Sequence, residues 1–133
     1  MMAFGSFILV LAFSLILLNS QLFADEMVSV NKDFNGREIK VRAGGVLRLE
    51  LEEFGSAGYS WIIQDLNREL FEIVNVQTEN PPPPSDVTGK PVVKTWMIRA
   101  KKAGKGEIKI LQYRLWEGKE KAADSFFLKV RIL

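Results

Sequence analysis

Along most of this chain apolar residues recur at every second position rather than at the three-to-four spacing of a helix. Ile39 and Val41 alternate with Glu38, Lys40 and Arg42; Leu47, Leu49 and Leu51 alternate with Arg48, Glu50 and Glu52; Phe126, Leu128, Val130 and Ile132 alternate with Phe127, Lys129 and Arg131. Successive side chains of an extended backbone point to opposite faces, so each stretch predicts a strand with one buried face. Trp61 with Ile63, Ile73 to Val76, Trp96 with Ile98, and Ile108 with Ile110 predict further strands. Turn signals separate them at Asn35-Gly36, Gly44-Gly45, Gly55 to Gly58, Gly104 to Gly106 and Gly118. Seven or eight short strands at this spacing predict an all-β chain folded as a two-sheet antiparallel sandwich. Only Asp65 to Leu70 reads as a helical turn.

Two places interrupt the alternation. The parity of Ile108 and Ile110 carries Gln112 onto the core-facing side. Either its amide is hydrogen-bonded at the end of the sheet, or a bulge shifts the register there. The run Pro81-Pro82-Pro83-Pro84 has no ladder N–H donors and favours polyproline II, so it is expected outside the sheets as a stiff spacer.

The first residues form a different kind of segment. Phe7 to Leu18 is an apolar run, interrupted only by Ser14, of the length of a secretory h-region, followed by Asn19-Ser20-Gln21 and a small residue at Ala24. Residues 1–24 are therefore expected to be a secretory signal peptide cleaved after Ala24, and residues 25–133 a single exported domain, periplasmic or secreted. No Lys or Arg precedes the run, so a membrane anchor is the expectation if the segment stays uncleaved. The mature domain, of roughly 110 residues, has no cysteine and must be stabilised by its own apolar core. A net charge of +2, with the basic residues spread over alternating strands, makes nucleic acid a poor partner, and a monomer is the default expectation.

Candidate chemistry lies on the turns. With neither His nor Cys, the chain can hold no His-based triad, no thiol nucleophile and no Cys/His metal site. The carboxylates Glu50, Glu52 and Glu53 remain, but Glu50 and Glu52 alternate with leucines on an outward face, as on a solvated strand, so no enzyme, metal or cofactor is predicted. Three segments at turn positions stand out instead: Gly58-Tyr59-Ser60-Trp61, Val87-Thr88-Gly89-Lys90 and Tyr113-Arg114-Leu115-Trp116. Side chains displayed on turns of a rigid sheet scaffold are where binding chemistry usually lies. Gly58 is suited to a positive φ, Trp61 shares the inward parity of Ile63, and Tyr59 is expected near the rim.

These residues resemble the chagasin-like inhibitors of papain-like cysteine proteases, an immunoglobulin-like β-sandwich family. Its pattern is an Asn-Pro-Thr-Thr-Gly-Tyr/Phe-x-Trp loop, then a glycine-rich loop after a proline-containing stretch, then an Arg-Pro-Trp loop. This chain has Gly55-Ser56-Ala57-Gly58-Tyr59-Ser60-Trp61, Val87 to Lys90 after the prolines, and Arg114-Leu115-Trp116 in the same order. Lys101-Lys102-Ala103-Gly104 is similar to a hairpin turn of the family, and the resemblance spans the mature chain. It departs from the pattern where Gly-Ser-Ala replaces the Asn-Pro-Thr-Thr stem, which predicts a looser and weaker-binding first loop with Ser56 as the remaining hydroxyl, and where Leu115 replaces proline.

The resemblance implies a reversible, noncovalent inhibitor whose three loops lie side by side and occlude the protease cleft. On this reading Ser56, Ala57, Gly58 and Tyr59 form the first contact, with the Gly58 backbone approaching the catalytic thiol. Val87, Thr88, Gly89 and Lys90 run along the substrate-side wall, while Arg114, Leu115 and Trp116 form the third contact, with Trp116 as the aromatic anchor. The rival reading is a carbohydrate-binding or envelope adhesion module that stacks sugars on Tyr59, Trp96 and Trp116. Placement separates the two: sugar stacking needs an exposed aromatic platform, inhibition needs three turns gathered on one projecting edge.

Overall fold

The computed structural model describes residues 26–79 and 91–133; the expected signal segment, the proline run and the Val87 to Lys90 turn lie outside them. Eight strands occur among the described residues: β1 (Met27–Val30), β2 (Glu38–Val41), β3 (Val46–Glu53), β4 (Tyr59–Gln64), β5 (Phe71–Glu79), β6 (Val92–Ala100), β7 (Gly104–Arg114) and β8 (Asp124–Ile132). They form two four-stranded sheets, ordered β1-β3-β6-β5 and β2-β8-β7-β4.

In β3, β7 and β8 the period-two reading holds residue by residue. Leu47, Leu49 and Leu51 of β3, Ile108 and Ile110 of β7, and Phe126, Leu128, Val130 and Ile132 of β8 are all buried, and Trp61 and Trp96 join them in one core. Each such side chain contributes roughly 1.5–3 kcal/mol on burial, so a core of this extent can hold a domain that has no cysteine to cross-link it.

Strand direction is where the fold departs from a purely antiparallel sandwich. β1 runs parallel to β3, and β2 runs parallel to β8. Both are four-residue edge strands, and the chain leaves β1 for β2 in the opposite sheet before returning to β3. That crossing supplies the long connection that parallel pairing needs.

Gln112 resolves in favour of a hydrogen bond: it is buried, its Oε1 accepts the Phe54 amide at 3.3 Å, and β7 pairs with both neighbours without a shift. The irregularity falls in β5 instead, where the register slips between Ile73 and Asn75 and leaves Val74 exposed. Residues 65–70 form turns rather than helix. Asp65 is left-handed (φ 39°), and the Asn67 side chain accepts the Glu69 amide at 3.0 Å, which closes an Asx turn that competes with helix. Phe127, outward by parity, is half-buried, and the Asn35 and Gly36 segment occupies its backbone N–H and C=O.

The register also places the loops. β3 ends where Glu53 faces Val92, and β5 ends where Glu79 faces Val93. β4 begins where Tyr59 faces Arg114, and β8 begins where Asp124 faces Gln112. Residues 54–58 cross from β3 in one sheet to β4 in the other, which brings both sets of strand ends to one end of the sandwich.

Candidate functional site: the loop-bearing end of the sandwich

The first loop starts at Phe54, makes a single 3-10 turn over Gly55–Ala57 and closes at Gly58, whose φ of 86° and ψ of 2° are left-handed. Its backbone is internally bonded: the Ala57 and Tyr59 amides donate to the Phe54 carbonyl, and the Gly58 amide donates to that of Gly55 at 2.9 Å. Glycine at 58 also leaves room for the third loop. A Cβ there would run into Cη2 of Trp116 and displace the indole, which lies directly against this position.

Arg114 joins the two loops. Its Nε donates to the Ala57 carbonyl at 2.8 Å and its Nη1 to Glu117 Oε1 at 3.5 Å. Its guanidinium lies 4.5 Å from the centre of the Tyr59 ring and 5.9 Å from that of Trp116. A planar cation between two aromatic faces is a favourable arrangement, and it fixes the angle between the loops. The third loop then turns tightly, with the Glu117 and Gly118 amides donating to the Arg114 carbonyl. Leu115 and Trp116 are left at its tip, 72% and 73% exposed.

Behind the first loop lies a polar cluster absent from the sequence expectations. Glu53 has the inward parity of Leu51 and is 7% exposed. Its Oε2 accepts the Trp61 amide at 2.9 Å and stands 3.7 Å from Lys94 Nζ. Lys94, reaching across from β6, donates to the Trp61 carbonyl at 2.9 Å. The Trp61 indole Nε1 donates to the Glu52 carbonyl at 2.7 Å. The outer edge of β4 is thus capped by a carboxylate and an ammonium from the opposite sheet, which satisfies main-chain groups that an edge strand would otherwise leave open.

These contacts answer the expected looseness of the first loop. The stiffening proline is missing, but Gln112 holds the loop at Phe54 and Arg114 holds it at Ala57, while Glu53 and Lys94 hold β4 at Trp61 just beyond it. Preorganisation of this kind limits the ordering free energy lost on binding.

Of the residues singled out from sequence, Ala57, Gly58, Tyr59, Arg114, Leu115 and Trp116 come together at this end, and Ser56 lies in its 3-10 turn. Val87, Thr88, Gly89 and Lys90 lie outside the described residues, but β5 and β6, which flank them, open at the same end. Glu53 and Lys94 were not foreseen, although extending the alternation of β3 by one step flags an inward carboxylate that needs partners. Phe54, 44% exposed at the entrance to the first loop, was missed too, since an isolated Phe beside glycine carries no periodic signal. Trp96 is 3% exposed and unavailable as part of an aromatic platform, which removes one of the three residues the sugar-stacking reading requires.

The comparisons with known proteins agree with this architecture. The family model described as Chagasin family peptidase inhibitor I42 matches residues 40–130. No match emerges among curated proteins. Among solved structures, the cysteine protease inhibitor EhICP2 from Entamoeba histolytica is similar at a TM-score of 0.74 and 20% identity, over 82% of this chain and 97% of that one. Amebosin is similar at 0.65 and 22%, over 81% and 98%. PbICP-C, solved in complex with falcipain-2, is similar at 0.51 and 17%, over 82% and 89%. At these identities the structural likenesses establish the shared fold.

Proposed function

Since the chain belongs to the chagasin family of peptidase inhibitors, we propose that its target is a papain-like cysteine protease, occluded reversibly by the loop-bearing end of the sandwich. One observation carries this reading: two of the most exposed large apolar side chains, Leu115 and Trp116, stand on a loop that Arg114 locks to the first loop, so apolar surface and rigid backbone coincide at one end. An exposed aromatic on a preorganised support is the usual form of a binding hot spot. PbICP-C was captured with falcipain-2, which supports the choice of protease class.

The physical action is exclusion. Trp116 is the outermost anchor, and the first loop follows it toward the cleft. Val87 to Lys90, which lie in sequence between β5 and β6, are assigned to the adjoining wall. No covalent step is involved, and the 3-10 turn at Gly55–Ala57 presents a closed main chain rather than an extended segment that a protease could cleave.

Export belongs to the same proposal. Cleavage after Ala24 would leave β1, which begins at Met27, intact, and would release a periplasmic or secreted domain. Titrating papain with purified residues 25–133 tests the function: competitive inhibition that reverses on dilution is expected, and unchanged activity at micromolar protein would overturn it.

A further inference from the structure

Beside the first loop a groove of about 400 Å³ opens at the same end of the sandwich. Phe54, Val93 and Trp61 form its apolar part, and Asp33, Glu52 and Asp124 lie along it. Phe54 belongs to both groove and loop. Its amide is held by Gln112, which fixes the backbone that carries the 44% exposed ring.

The charges of this groove are unevenly matched. Lys32 is engaged by Asp124 Oδ1 and the Ser125 carbonyl, both at 2.8 Å, and lies 4.9 Å from the centre of the Trp61 ring. Glu50, also on the groove, is taken by Arg48 at 2.8 Å. Among the described residues no cation is paired with Asp33 or Glu52, both of which are exposed. An exposed aromatic ring next to two unmatched carboxylates suits a long aliphatic stem that ends in a cation: the stem covers the ring and the head meets the carboxylate.

We propose that this groove extends the inhibitory end and receives a Lys or Arg side chain from the rim of the target protease, laid on Phe54 and directed at Glu52. The inference rests on the protease reading above and adds to it a contact outside the three loops. The inhibitor then prefers proteases with a basic residue on the side of the cleft that the first loop borders.

The test compares wild type, Glu52→Lys, Phe54→Ala and Trp116→Ala, all produced from the full chain, for inhibition of papain and of papain variants with single rim lysines or arginines replaced by glutamate. Glu52→Lys, a change at an exposed position, should weaken inhibition about fivefold or more at low ionic strength and much less at high salt, since rim charge acts chiefly on association. At least one charge-reversed papain variant should bind Glu52→Lys better than it binds wild type. Phe54→Ala should weaken inhibition by about tenfold without the salt dependence. If Glu52→Lys and Phe54→Ala inhibit as wild type does while Trp116→Ala is impaired, the groove is not used and the protease reading stands. If wild type itself fails to inhibit any of these enzymes, the parent reading falls, and this one with it.

Discussion

At Gly58 two requirements meet in one residue. The backbone is left-handed, and the space a side chain would take is occupied by the Trp116 indole. Gly58→Ala should therefore act twice. A left-handed alanine costs roughly 1–2 kcal/mol, so the melting temperature should fall by several degrees. The displaced indole should also weaken inhibition beyond what the stability loss explains; thermal melts read beside inhibition constants separate the two effects. The sequence made glycine at 58 legible as a turn residue. The contact with Trp116 was not legible, because it joins two loops far apart in the chain.

Among elements, the first loop depends on what stands behind it. Glu53 accepts the Trp61 amide and faces Lys94, and both groups are largely removed from water. Glu53→Ala would leave the buried Trp61 N–H without its acceptor and the Lys94 ammonium without its carboxylate, at a cost of about 2–3 kcal/mol that urea denaturation can measure. Amide exchange at Trp61 should accelerate in the same variant. If exchange stayed at the wild-type rate, the carboxylate would not be what holds β4 in place. Period two placed β3, β7 and β8 correctly because one clean face of each strand is buried. It gave less at β5, where the bulge at Val74 breaks the parity, and at residues 65–70, where Asn67 closes a turn over a stretch that reads as helical.

For the whole molecule, alternation specified strands and burial but was silent on direction, since a parallel and an antiparallel neighbour both leave side chains alternating. The parallel edges therefore came only with the structure. They make β1 part of the fold rather than an appendage: Val30 is 2% exposed, and β1 covers one edge of β3. A chain starting at Asn31 should lose about 3 kcal/mol or more of stability, and circular dichroism melts should show a drop well beyond that of any exposed-loop variant. An unchanged melt would mean that β1 is dispensable. The turn motifs around Tyr59 and Trp116 pointed to the end of the sandwich where the first and third loops meet, whereas the brackets there, Arg114 on Ala57 and Glu53 with Lys94, depend on distances that no one-dimensional pattern contains.

The central claim is that the projecting end built from the first and third loops is the inhibitory surface, and Trp116→Ala tests it most directly. Truncation of a central aromatic anchor costs about 2–4 kcal/mol of binding, so the inhibition constant against papain should rise by a factor of roughly 30 to 1,000. Since Trp116 is 73% exposed, the melting temperature should stay within about a degree or two of wild type. An inhibition constant unchanged from wild type, or a loss of stability that matches the loss of binding, would contradict the account.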